Sequence, residues 1–196
     1  MKNYHALLGY ISGAIMLIGM IPYLHSIVIT KETKPNRTSY GIWMVIGIIN
    51  LCAYIASGEK ETIWFVISGA LFPLIIFLLS FRYGEKCWYR SDTWCLCLAL
   101  FAIVIWKLTG NPILALISGL IADALAVIPT LIKIKKSPDS ENLLSWSFGL
   151  TSSVFNILAV KEWTWSNGIY TIYMFLSITL IIVPLAVLQY RNKHSV

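Results

Sequence analysis

Charge is scarce in this chain: only 12% of its 196 residues are Asp, Glu, Lys or Arg. A soluble domain carries roughly a quarter. The scarcity excludes an ordinary water-solvated surface and makes lipid the expected solvent. Cysteine is sparse too, at Cys52, Cys87, Cys95 and Cys97. No Cys-x-x-Cys pair occurs, so a thiol-redox motif is excluded. Cys95 and Cys97 are two apart and point to different sides of a helix, which is poor geometry for a disulfide or a metal. There is no glycine-rich phosphate loop, no His cluster at metal spacing and no arguable Ser-His-Asp set. These absences leave no cofactor, no metal, no enzyme and no ATP-driven pump to argue from this chain. A cleavable leader is not expected either: the apolar run from Leu7 passes through Pro22 to Ile29 without a small-x-small site, and reads as a retained span.

What the chain has is apolar length, with 58% hydrophobic residues. Seven apolar stretches run roughly over 6–29, 39–57, 62–81, 93–108, 112–134, 143–160 and 165–190. About twenty residues at about 1.5 Å each cross the hydrocarbon. Only helices satisfy their own backbone there, so seven transmembrane helices are expected. With the N-terminus outside, eleven basic residues fall at inside loops and the C-terminal tail, and only Lys2, Lys60, Lys107 and Lys161 fall outside. The positive-inside rule then favours N-out, C-in. This bias accounts for the net charge of +6 without a nucleic-acid partner. Trp64, Trp163 and Trp165 at one face, and Trp88, Tyr89 and Tyr190 at the other, fit headgroup anchors. Trp43 and Trp146 also read as anchors, with an aromatic gate as the alternative.

The chain repeats itself. Ile11-Ser12-Gly13-Ala14-Ile15 with Ile21-Pro22 matches Ile117-Ser118-Gly119-Leu120-Ile121 with Ile128-Pro129. A short loop follows each proline, then a helix near Ser39 or Ser145, and eleven residues later Asn50 or Asn156. Three helices per copy would invert the second copy, and the extra fourth helix restores its direction. The expected architecture is an all-α membrane protein of two parallel three-helix repeats plus one linker helix, 3+1+3. Its divisions are 1–84, 85–110 and 111–196. Parallel repeats are a transporter plan with the solute site at the repeat interface near the midplane.

This pattern resembles the PQ-loop and SWEET superfamily over nearly the whole chain. The resemblance implies the same 3+1+3 plan and N-out, C-in orientation, as in a divergent bacterial member. The family's prolines match at Pro22 and Pro129, but its following glutamines are Tyr23 and Thr130 here. The asparagine of the sugar-carrying branch is absent around Ser68-Gly69 and Tyr173. The resemblance implies transport of a small polar solute (a sugar, an amino acid or a vitamin-like molecule) across a bacterial inner membrane, as a multi-pass protein. A non-transporting receptor or assembly subunit on the same fold is the alternative, and a homo-oligomer is left open.

Asp123 carries the most information. It lies about eleven residues from either end of its apolar stretch. A charge at mid-membrane costs roughly 2.5–3.5 kcal/mol on insertion scales, so it needs partners or cavity water. It is the candidate proton-coupling or substrate-binding group, and its counterpart in the first copy is apolar, at Met16 or Leu17. Asn50 and Asn156 are candidate solute ligands, since an amide both donates and accepts. Tyr173 and Ser68 are candidate cavity-lining groups. Pro22 and Pro129 are candidate hinges. His25 reads as a wet, interface-facing residue. A central cavity reaching Asp123 separates transport from a packed, receptor-like interior.

Overall fold

The computed structural model describes residues 4–57, 63–86, 89–109, 112–163 and 165–194. Seven α-helices form: α1 (Tyr4–Val28), α2 (Arg37–Ser57), α3 (Ile63–Tyr83), α4 (Arg90–Thr109), α5 (Pro112–Lys136), α6 (Leu143–Ala159) and α7 (Trp165–His194). A single 3-10 turn, Pro138–Ser140, joins α5 to α6, and there is no strand among the described residues. Four stretches are long and apolar enough to cross a membrane: Tyr4–Val28, Ile63–Tyr83, Ile117–Lys136 and Gly168–His194.

The distribution of side chains is that of a protein in lipid. On α1 the exposed residues include Leu7, Tyr10, Leu17, Ile18 and Ile21, while the buried ones include Gly9, Ser12, Gly13 and Gly19. On α7 an exposed stripe runs through Leu176, Leu180, Val183 and Val187. Large apolar groups outside and small ones inside are what close helix packing in hydrocarbon requires. Trp64, Trp163 and Tyr190 are exposed near helix ends, as headgroup anchors would be. Trp88 and the side chain of Trp165 lie outside the described residues. His25 is exposed.

α1 packs against α3 and α6, and α2 against α3 and α5. α5 packs against α7, and α6 against α7. Exchanging α1, α2 and α3 for α5, α6 and α7 maps this set of contacts onto itself. α4 stands apart from that exchange and rests mainly on α5.

The two copies also begin their second helices alike. Asn36 Oδ1 accepts the Ser39 amide at 3.0 Å, and Asn142 Oδ1 accepts the Ser145 amide at 2.9 Å. Asparagine is therefore the capping residue. The serines expected to open the helices lie three residues further in. Pro22 and Pro129 both lie inside continuous helices.

The α1–α6 seam is the closest approach between the copies. Ser12 Oγ donates to the Ser152 carbonyl and Ser152 Oγ to the Ser12 carbonyl, each at 2.8 Å. One β-carbon added at Gly19 would sit 2.5 Å from Cβ of Phe148, whereas one at Gly149 would meet only the Ile178 methyl at 3.9 Å. Gly19→Ala is accordingly expected to destabilise by about 1–3 kcal/mol through overpacking. Gly149→Ala should be neutral or slightly stabilising, because alanine favours helix. Unfolding of both variants in detergent checks the contrast; equal stability would mean the seam gives way freely.

Candidate functional site

α2, α3, α5 and α7 line a cavity of about 120 Å³ in the bundle, to which α6 adds Trp146 and α1 adds Met16. A single water needs roughly 10–15 Å³ of such space, so the cavity has room for a small solute. Asp123 stands on its wall, although only 6% of the residue is exposed. Tyr173 donates its hydroxyl to Asp123 Oδ2 at 2.8 Å, and Ser177 Oγ lies 3.5 Å from the same oxygen. Those two residues are four apart on α7 and so share one face. Tyr170, three residues before Tyr173, lines the cavity together with Asn50 of α2. One face of α7 therefore stands beside the polar groups of α2 and α5. Met16, one of the two residues that match Asp123 in the first copy, lines the same cavity.

Of the residues singled out from sequence, Asn50 and Asp123 line the cavity, and Tyr173 reaches Asp123 without lining it. Ser68 does neither. Its hydroxyl bonds the Trp64 carbonyl of its own helix and lies 3.3 Å from the Gly13 carbonyl. It serves α1–α3 packing, and the adjacent Gly69 lines the cavity instead. Asn156 is also turned away. It lies one turn beyond Ser152, on the face that meets α1, and its buried Oδ1 has no hydrogen-bond partner. The symmetric asparagine pair is thus split: Asn50 lines the cavity, whereas Asn156 is buried away from it.

Trp43 and Trp146 are interior residues rather than headgroup anchors. They meet edge to face across the two copies, with ring centroids 6.1 Å apart, and both line the cavity. Tyr40 packs edge-on against Trp43 at 5.2 Å. These rings cover the cavity toward the end where the basic α1–α2 and α5–α6 loops lie.

Beyond them is a buried polar network whose members the sequence reading did not join. Tyr40 donates to the Tyr23 hydroxyl at 2.7 Å, and Tyr23 donates to Glu141 Oε2 at 2.9 Å. Trp146 Nε1 donates to the same oxygen at 2.9 Å. Lys133 Nζ pairs with Glu141 Oε1 and donates to the Lys34 carbonyl at 2.8 Å. On the other side of the seam Thr130 Oγ1 donates to Ser39 Oγ at 2.9 Å. The residues after both prolines, Tyr23 and Thr130, each reach from one copy to the other. That reciprocity was the available signal: polar residues in matching places after Pro22 and Pro129. Glu141, an acid within a basic loop, was the second.

Among the described residues no group of three or more His, Cys, Asp or Glu side chains could hold a metal. Comparison of the chain with family models, with curated proteins and with solved structures finds no match.

Proposed function

We propose that this protein is a secondary transporter or facilitator of a small solute, working by alternating access, with Asp123 as the proton-coupling or solute-binding carboxylate. One observation carries this reading: a buried acid on the wall of a cavity lined by both helix triplets, with a buried polar network crossing between the triplets nearby. The exchange symmetry of the helix contacts supports two parallel three-helix repeats with α4 as linker. The basic loops support their own end of the bundle as the cytoplasmic one, with the N-terminus outside; a bacterial inner membrane rests on the resemblance alone. The resemblance to the PQ-loop and SWEET superfamily belongs to the same proposal. Opening would part Tyr23 from Glu141 and Thr130 from Ser39, with Pro22 and Pro129 absorbing the bend in α1 and α5.

The test is a lock. A thermal-shift screen of the purified protein against sugars, amino acids and vitamins at two pH values finds a ligand, since binding stabilises the native state. Uptake of that ligand into proteoliposomes is then measured. Ser39→Cys with Thr130→Cys, in a background freed of native cysteines, places thiols where two hydroxyls lie 2.9 Å apart. Oxidation should stop flux and leave binding intact, and reduction should restore flux. A ligand that binds but never crosses, locked or unlocked, would instead support the receptor reading.

A further inference from the structure

The cavity is selective in what it withholds. Its lining holds Asp123 and no Lys, Arg or His. The ion pairs among the described residues are Lys133–Glu141 and Lys161–Glu162, so Asp123 has no protein cation. An anionic solute would meet a carboxylate with nothing to offset it. A hydroxyl-rich solute would find few open partners. Asn50 and Tyr170 are the polar groups beside Asp123, Ser177 turns to Asp123, the Tyr40 hydroxyl donates to Tyr23, and Trp146 Nε1 donates to Glu141. The remaining wall is aromatic and aliphatic. Trp43, Trp146, Tyr40 and Phe72 stand on one side, and indole and phenol faces attract positive charge.

We infer that the cavity takes a small organic monocation with an apolar or aromatic body. The positive end lies at Asp123 and the body lies among the rings of Trp43, Trp146 and Phe72. The solute supplies the positive charge that the protein leaves out, and desolvation strengthens both contacts. This rests on the reading of the cavity as the solute site and names the class of solute.

Binding to the full-length wild-type protein in nanodiscs tests it, read by tryptophan fluorescence and thermal shift. The probes are benzyltrimethylammonium, its neutral isostere neopentylbenzene, phenylacetate and glucose. Benzyltrimethylammonium should bind at least about tenfold tighter than neopentylbenzene. Phenylacetate and glucose should produce no shift. Asp123→Asn should weaken the cation at least about tenfold and leave the isostere unchanged. Trp43→Leu, which keeps the carboxylate, should weaken the cation as well. The inference is overturned if the isostere binds as tightly as the cation, or if glucose or phenylacetate stabilises the protein and the cation does not. The wild-type series decides this even where a variant fails to fold. Cation binding without passage into proteoliposomes would sustain the ligand class and overturn transport. Passage of a neutral sugar without cation binding would do the reverse.

Discussion

Truncating Glu141 to alanine is expected to cost on the order of 3–5 kcal/mol of stability, because it leaves a buried ammonium without its partner. Lys133 is 2% exposed and Glu141 3% exposed, so neither has water to fall back on. The same carboxylate also accepts from Tyr23 and Trp146, so two further buried donors lose their acceptor. Glu141→Gln keeps an acceptor for those donors and should cost less than Glu141→Ala. Lys133→Met combined with Glu141→Gln removes the stranded charge and should recover much of the loss, since buried ion pairs are often replaceable by apolar groups of similar size. Equilibrium unfolding in detergent across the four proteins measures the series. If Glu141→Ala unfolds like the native protein, the pair is hydrated and does not hold the basic end shut. The double variant has a functional counterpart. With the Lys133 bond to the Lys34 carbonyl gone, one tie between the triplets is lost and the basic end should open more readily.

The helices were legible for a physical reason. Hydrocarbon admits only backbone that bonds to itself, so apolar length translates directly into helix. The ends were read short where helices continue into water. α4 begins at Arg90 instead of near 93, and α7 runs on to His194 instead of stopping near 190. Polar residues can prolong a helix there once hydrocarbon no longer selects the side chain. The azimuth of a residue was much less legible than its depth. Ser68 and Gly69 are adjacent, yet only the second lines the cavity. A step of one residue turns a helix by about 100°, and an apolar-all-round span carries no moment to set its phase. The same ambiguity misassigned Trp43 and Trp146, whose composition suits a headgroup belt as well as an interior contact. The Lys133–Glu141 pair was hidden differently. Its members are eight residues apart, on either side of the Pro138–Ser140 turn, and only that turn brings them together. Asp123 needed no phase, because a carboxylate in mid-span is costly on any face except one with partners or space.

Asp123→Asn is expected to abolish the pH dependence of uptake while leaving folded protein in the membrane. Asparagine has nearly the same shape and still offers an oxygen to the Tyr173 hydroxyl, now 2.8 Å from Oδ2. Folding should therefore change by no more than about 1 kcal/mol, the worth of one neutral hydrogen bond. What the variant loses is the charge. One carboxylate cannot hold a proton and pair with a cation at the same time. Lowering the pH should therefore weaken cation binding to the native protein, by competition, and should not affect the weaker binding to Asp123→Asn. In proteoliposomes the native protein should accumulate solute when a pH gradient is imposed. The variant should only equilibrate it down its own gradient. Tyr173→Phe is the companion test, since it removes one donor and keeps the acid. It should move the pH midpoint without erasing the dependence. If Asp123→Asn accumulates solute with the native response to pH, Asp123 is a packing group held by α7 and the coupling acid must be sought elsewhere. If the dependence vanishes and downhill flux survives, the single unmatched carboxylate is what links proton to solute. The matching place in the first triplet, Met16 or Leu17, is apolar and offers no second carboxylate.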